Sequence, residues 1–288
     1  MMAITGSTGH LGRLVIAALL RRGIPASEIM ALARDPQKAN DLSAQGIAVR
    51  RADYNQPETL EQALEGVDKL LLISGSEVGK RVEQHRRVIE AARKRQVKHI
   101  AYTSILHADT SQIDLAEEHR QTEALIRQSG IAYTLLRNSW YHENYEQAIL
   151  NAIEQGALVG CAGKGKIASA ARADYAEAAA VVLTTTGHEG KIYELAGDQA
   201  WTMDELAEII TRQTGKQIVY RDMDRQAYTA LLINTAGLPE PIARMIAGWD
   251  VAIAAGQLFD DSHQLSTLIK RNTTPIADTV REVLKKRM

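Results

Sequence analysis

The segment Ile4-Thr5-Gly6-Ser7-Thr8-Gly9-His10-Leu11-Gly12 constrains this chain more than any other stretch. Three glycines at intervals of three follow the first apolar residues and precede an amphipathic run. Leu11, Leu14, Val15, Ala18 and Leu19 recur at i, i+3, i+4, i+7 and i+8, the stripe of a helix with one buried face. A strand therefore hands the chain to a helix here. Gly6 permits a sharp turn, Gly9 lets main chain approach a pyrophosphate, and Gly12 lets the helix lie close on a sheet. The helix start offers free N–H groups and a positive dipole end to an anion.

Downstream, short apolar runs alternate with helical patterns. Strands are expected near Ala3 to Thr5, Ile29 to Arg34, Ile47 to Ala52, Lys69 to Ser74, His99 to Ser104 and Ala132 to Arg137. Helices are expected to start near His10, Gln37, Pro57, Arg81 and Leu115. Such alternation means βαβ units and a parallel sheet with right-handed crossovers. Leu70-Leu71-Leu72-Ile73 is apolar on both faces, as a central parallel strand must be. After Trp140 helical patterns dominate, over Asn144 to Gln155, Ala173 to Thr185, Met203 to Gln213 and Arg225 to Ala236, with Ile192 to Ala196 as one more strand. The fold class is α/β, a doubly wound parallel sheet of the Rossmann type with a smaller, mostly helical C-terminal lobe. Residues 1–140 form the nucleotide-binding domain and 141–288 the substrate lobe, with the helix near 173–185 and the strand near 192–196 returning to the sheet. A cleft is expected between the two, at the carboxyl ends of the strands.

Bulk properties narrow the partners. A net charge of −1 gives no support for nucleic acid or an acidic membrane, and an aromatic content of 5% argues against a stacking platform for single strands. The single cysteine, Cys161, excludes an internal disulfide framework and reads as a small apolar residue rather than a nucleophile. No leader and no long apolar run are visible, so the expected compartment is the cytoplasm. The histidines His85, His107 and His119 show no metal-ligand spacing, and no metal is expected.

The end of the second strand names the nucleotide. An acid there would accept from a ribose 2′-hydroxyl; this chain has Arg34, about twenty residues past Gly12. A guanidinium suits a 2′-phosphate, so the expected cofactor is NADPH, while Asp35 suits a helix cap. Asp53-Tyr54 closes the third strand, where an adenine would lie. Ser74-Gly75-Ser76 closes the fourth with small residues that let ribose and phosphates pass.

Taken together, several segments resemble the NmrA-like atypical short-chain dehydrogenases over essentially the whole chain. They are the Gly-x-x-Gly-x-x-Gly turn, Arg34, Ala101-Tyr102-Thr103-Ser104, the run from Ser129 to Asn138 and Ala171-Arg172-Ala173-Asp174. Within that group, the runs Leu71 to Ser74, Tyr102 to Ser111, Leu136 to Tyr141 and Tyr193 to Asp198 look most like bacterial NADPH-dependent quinone reductases, with triphenylmethane dye reductases next. The resemblance implies a cofactor site of Gly6, Ser7, Thr8, Gly9, His10, Leu11 and Gly12 on the pyrophosphate. It implies Arg34 on the 2′-phosphate, Asp53 and Tyr54 near the adenine, and Ser74, Gly75 and Ser76 along the ribose. Asn138, Ser139, Trp140, Tyr141, His142 and Glu143 would lie near the nicotinamide, and Thr103 would also belong to the cofactor site. One departure matters. Mainstream relatives place Tyr-x-x-x-Lys on the helix after the fifth strand; here the alignment puts Leu115 and His119 there, so neither dyad group is present. The absence favours an acceptor that takes hydride readily, such as a quinone or a cationic dye, or else a silent NADP(H)-binding sensor.

Near the chemistry, Tyr141 is a candidate to stack on a flat acceptor or donate to its oxygen, or else an interlobe packing residue. Asn138 is a candidate to hold the nicotinamide carboxamide. His107 could supply a proton. His119, within Glu117-Glu118-His119-Arg120, reads as part of a solvated face, and Asp260-Asp261-Ser262 as a helix cap following Phe259.

Overall fold

The computed structural model describes residues 1–287. The chain runs β1 (Met2–Ile4), α1 (His10–Arg21), β2 (Ile29–Ala33), α2 (Asn40–Ala44), β3 (Ala48–Arg51), α3 (Pro57–Ala63), β4 (Lys69–Leu72) and α4 (Arg81–Lys94). It continues with β5 (His99–Ile105), α5 (Leu115–Gln128), β6 (Ala132–Asn138), α6 (Glu146–Gln155), β7 (Ala157–Gly160), α7 (Arg172–Thr184) and β8 (Lys191–Leu195). The remainder is α8 (Met203–Thr214), β9 (Val219–Asp222), α9 (Arg225–Asn234), α10 (Glu240–Ala254), α11 (Gln264–Ile269) and α12 (Ile276–Arg287).

Seven strands form one parallel sheet in the order β3-β2-β1-β4-β5-β6-β8. The order reverses between β1 and β4, which opens a crevice at their carboxyl ends. Alternate residues feed opposite faces. Ile4, Ala31, Leu71, Ala101 and Leu136 pack against α1, α7 and α11; Ala3, Met30, Leu32, Leu70, Leu72 and Tyr102 pack against α3, α4 and α5. Burial on both sides explains why Leu70 to Leu72 is apolar without alternation. Helix α7, rich in alanine, is buried nearly all round because it lies against α1, α11 and the sheet.

A second core gathers residues between Ile105 and Val283, among them Ile149, Leu158, Trp201, Leu206, Ile253 and Val280. It contains a feature absent from the sequence reading, a two-stranded parallel sheet of β7 and β9. Each strand has four residues, too few for a period to register. The helix expected from Gln37 is broken into a 3-10 turn, Pro36–Ala39, and α2. Asp35 caps that turn by accepting from Gln37 N–H at 3.1 Å. Among the described residues, no helix is long and apolar enough to cross a membrane.

Beneath the carboxyl end of β6, Arg137 is buried (5% exposed) between Glu123 of α5 (1%) and Glu194 of β8, at 2.9 and 2.7 Å. These carboxylates hold the Arg137 pKa above its ordinary value against the opposing effect of burial.

Candidate cofactor cleft and acceptor cavity

The glycine turn lines a cleft of about 390 Å³ at the carboxyl ends of β1 to β4. Gly6 has φ +57°, a conformation that favours glycine, and Gly9 N–H donates to Gly6 O at 2.9 Å to close the turn. Gly12 departs from its expected role: a Cβ there would collide with Gly6 O and lie 2.8 Å from Ser7 Cα. The helix start thus packs on the main chain of the turn itself. Gly6, Thr8, Gly9, Arg34, Asp53, Tyr54, Ser74, Gly75 and Ser76 all border the cleft. Ser7, His10, Leu11 and Gly12 do not: Ser7 Oγ donates to Leu32 O at 2.9 Å and ties β1 to β2, Leu11 is buried in the core, and His10 is exposed.

Arg34 stands at the rim with 72% of its side chain exposed, its Nη1 3.7 Å from Glu77 Oε1. Side chains that sequence reading did not single out fix the Ser74-Gly75 loop. Thr5 Oγ1 accepts from Ile73 N–H at 2.8 Å, and Arg81 Nε donates to Gly75 O at 2.6 Å. Thr103 Oγ1 accepts from Ser74 N–H at 2.9 Å, so Thr103 braces the loop rather than bordering the cleft. His85 Nε2 accepts from Gly75 N–H at 2.9 Å while Nδ1 meets Thr122 Oγ1 at 3.0 Å. Thr122 donates onward to Glu118 O, so the Nδ1–H tautomer satisfies every partner. Burial, aided by the nearby Arg81, pushes the His85 pKa down to about 3.

At Ser74 the cleft meets a second space of about 930 Å³. Asn138, Ser139, Trp140 and Tyr141, at the end of β6, form its near wall; Tyr145, Leu158, Met203, Tyr228, Trp249 and Asp250 come from the second core and its helices. Trp140 meets Trp249 edge-on at 5.2 Å, Tyr141 meets Tyr175 at 5.3 Å, and Arg172 lies over the Tyr141 ring at 5.0 Å. Asn138 Nδ2 donates to the Tyr141 hydroxyl at 3.4 Å. Burial raises the Tyr141 pKa, so the phenol stays protonated. Asn138 Oδ1, Ser139 Oγ, Tyr145 Oη and Trp249 Nε1 are buried around this one cavity without hydrogen-bond partners among the described residues.

The structure corrects several expectations. His119 does not sit on a solvated face: it is buried, meets the Tyr102 hydroxyl through Nδ1 at 2.7 Å and borders the cavity. Burial, with Arg81 and His85 nearby, pushes its pKa down to about 3. The flanking charges hid it, because Glu117 and Arg120 occupy another face of α5 and pair with each other at 2.7 Å. Leu115 lines the same cavity. His107 is not in that wall: it has φ +50° and pairs through Nε2 with Asp260 Oδ2 at 3.1 Å. His142 is likewise outside, donating from Nε2 to Ser169 O at 3.0 Å, with its pKa pushed down to about 4 by burial. Glu143 is outside too, accepting from Arg172 N–H at 3.0 Å and serving the N-terminus of α7. Asp260 braces a turn by accepting from Ser262 N–H at 2.9 Å; α11 begins after His263, which has no capping bond. Burial, with Asp250 and Asp222 nearby, pushes the Cys161 thiol up to about 12, which suits an unreactive residue. Among the described residues no group of three or more histidine, cysteine or acidic side chains could hold a metal ion.

Comparison with known proteins bears on both spaces. The NAD(P)H-binding family matches residues 6–186. Quinone oxidoreductase 2 of Escherichia coli (strain K12) is 55% identical over 280 residues, covering 97% of each chain. A crystal structure of the NADPH-dependent quinone oxidoreductase from Escherichia coli, complexed with NADPH, superimposes with a TM-score of 0.96 at 54% identity, covering 99% of this chain and 100% of that one. The Citrobacter sp. triphenylmethane reductase complexed with NADP(H) superimposes with a TM-score of 0.94 at 44% identity, covering 98% and 100%.

Proposed function

This chain belongs to the NAD(P)H-binding family, and from that premise we propose that it is an NADPH-dependent oxidoreductase that reduces quinones by two electrons. The observation that carries the reading is the junction at Ser74 of a narrow cleft built on a glycine turn with a broad aromatic cavity. The cleft residues suit a dinucleotide. Gly6 and Gly9 present main chain without side chains, Arg34 offers an exposed guanidinium for a 2′-phosphate, and Asn138 Oδ1 is a buried acceptor with no partner among the described residues. Ser74 to Ser76 border the path of the ribose, and Tyr54 closes the far side.

Bound there, NADPH supplies hydride from C4 of its nicotinamide, which with one proton converts a quinone to its quinol. The chain contributes position and shelter. Trp140 and Tyr141 line the cavity with aromatic rings for a flat acceptor to pack beside, and the protonated Tyr141 hydroxyl is a donor for an acceptor oxygen. His119, neutral at working pH, and Leu115 provide no acid equivalent to the missing dyad, so the proton comes from solvent. His107, engaged by Asp260, has no part in this scheme. The setting that fits is a small-molecule reductase of the cytoplasm. Triphenylmethane dyes are a second acceptor class, favoured by the breadth of the cavity and the 44% identical dye reductase.

The test is NADPH oxidation by purified protein with a naphthoquinone, corrected for the uncatalysed rate. Saturable turnover, faster with NADPH than NADH, is the expected result. Tight NADPH binding without turnover of quinone or dye would replace this reading with that of an NADP(H)-binding sensor.

A further inference from the structure

Asp250 of α10 borders the acceptor cavity, half-buried, with no basic side chain paired to it among the described residues. Its one hydrogen bond among those residues is from Cys161 N–H to Oδ2, at 2.8 Å. Burial is the main cause that raises its pKa to about 6. The local backbone is shaped for this contact. Gly160 lies outside the left-handed region, so its lack of a side chain serves space: a Cβ there would lie 2.6 Å from Asp250 Oδ2. Tyr145 borders the same cavity, is 9% exposed, and its hydroxyl has no partner among the described residues. Asp250 is among the charges that raise the Tyr145 pKa, which puts the phenol near the carboxylate. Tyr228, close enough for Asp250 to raise its pKa, and Trp249 line the same cavity.

The cavity's own cations, Arg81 and Arg172, do not pair with Asp250. Arg81 bonds Gly75 O and faces Glu118 at 3.8 Å, and Arg172 lies on Tyr141, both toward the cleft. Asp222, held by the Tyr220 hydroxyl and Gly163 N–H, adds negative potential near Asp250 rather than neutralising it. A carboxylate drawn partly out of water is stabilised when a cation or several donors meet it. Its free oxygen, an unpartnered phenol and aromatic faces together match a protonated amine, whose N–H groups are donated to oxygens and whose charge is attracted by rings.

We propose that Asp250, with Tyr145, Tyr228 and Trp249, forms a subsite for an ammonium group on the acceptor. Preferred acceptors are then planar quinones carrying a protonated primary or secondary amine at the end remote from the carbon that takes hydride. The inference rests on the reductase reading. Its test uses the full chain with NADPH and two probes of matched shape, a naphthoquinone bearing an aminomethyl group on the second ring and the same quinone bearing ethyl. Turnover of the ethyl probe tests the reductase reading alone; the ratio of the two kcat/KM values tests the subsite. The expected ratio favours the ammonium probe by about tenfold, and Asp250→Asn lowers it toward one through KM. A ratio of one in the parent protein, an unchanged ratio in D250N, or an equal fall for both probes overturns the subsite. Should D250N fail to fold, competitive inhibition of the parent protein by benzylammonium against ethylbenzene decides the matter: tighter inhibition by the cation supports the subsite, equal inhibition refutes it. Should neither quinone turn over, binding of the same pair to the NADPH-loaded protein, read by tryptophan fluorescence, decides it in the same way.

Discussion

The cofactor cleft and the acceptor cavity share Ser74 but are made differently. The cleft is largely main chain: a glycine turn, two strand ends and a loop clamped by Thr5, Arg81, His85 and Thr103. The cavity is assembled from segments as far apart as Ser74 and Ile253, with large side chains such as Trp140, Tyr145, Met203 and Trp249 in its lining. Main-chain geometry is intolerant, because one added atom has no rotamer in which to escape. A side-chain wall can repack. Substitutions should therefore act nearly all-or-none in the cleft and by degrees in the cavity.

The largest expected effect is that of Gly12→Ala. Its methyl group meets Gly6 O and Ser7 Cα, so stability falls by roughly 1–3 kcal/mol and NADPH affinity by on the order of 100-fold, read by thermal unfolding and fluorescence titration. A variant that binds NADPH normally would break the contrast. Next, Arg34→Ala weakens NADPH by about 10-fold or more and NADH by less than about twofold, as the loss of a charged phosphate contact requires. Equal losses for both cofactors would remove the 2′-phosphate role.

The third prediction concerns both spaces, since His85 lies under the cleft loop and His119 borders the cavity. Each has a pKa of about 3 when folded against an ordinary value of 6.5. The unfolded chain therefore binds more protons between these values. Stability is full above about pH 6.5 and is lost as pH falls toward 3, by up to about 1.4 kcal/mol per pH unit for each histidine. Denaturant unfolding across pH 7 to 5 measures the slope, and His119→Gln should reduce it; an unaltered slope would mean that His119 is not buried neutral. The smallest effect is that of Tyr141→Phe, which removes a hydroxyl and keeps the ring. We expect KM for a quinone to rise about threefold with little change in cofactor affinity. A large loss would mean that the phenol takes part in the chemistry.

The same division decides what could be read in advance. The glycine turn, Arg34 and Ser74 to Ser76 are contiguous signals, and each lies at the cleft. The sheet was legible because strands buried on both faces leave unbroken apolar runs such as Leu70 to Ile73. The cavity was not, beyond Asn138 to Tyr141. Tyr145, Tyr228 and Asp250 meet only through tertiary packing, and His119 and Glu123 lie in a helix whose charges advertise solvent. His142 and Glu143 were placed by proximity to Tyr141 in sequence, yet the chain turns after Tyr141 and sends them toward Ser169 and Arg172.

The position of β8 carries a consequence for how this molecule could be divided. It pairs with β6 from Thr134 to Asn138, and Glu194 locks it there through Arg137. A fragment ending at residue 140 would leave the full length of β6 as an open edge, with unpaired N–H and C=O groups ready to template another chain, and would strand Arg137 short of one of its carboxylates. The acceptor half is thus no detachable cassette. Grafting it onto a different nucleotide domain, or expressing the nucleotide half alone, requires that β8 travel with β6.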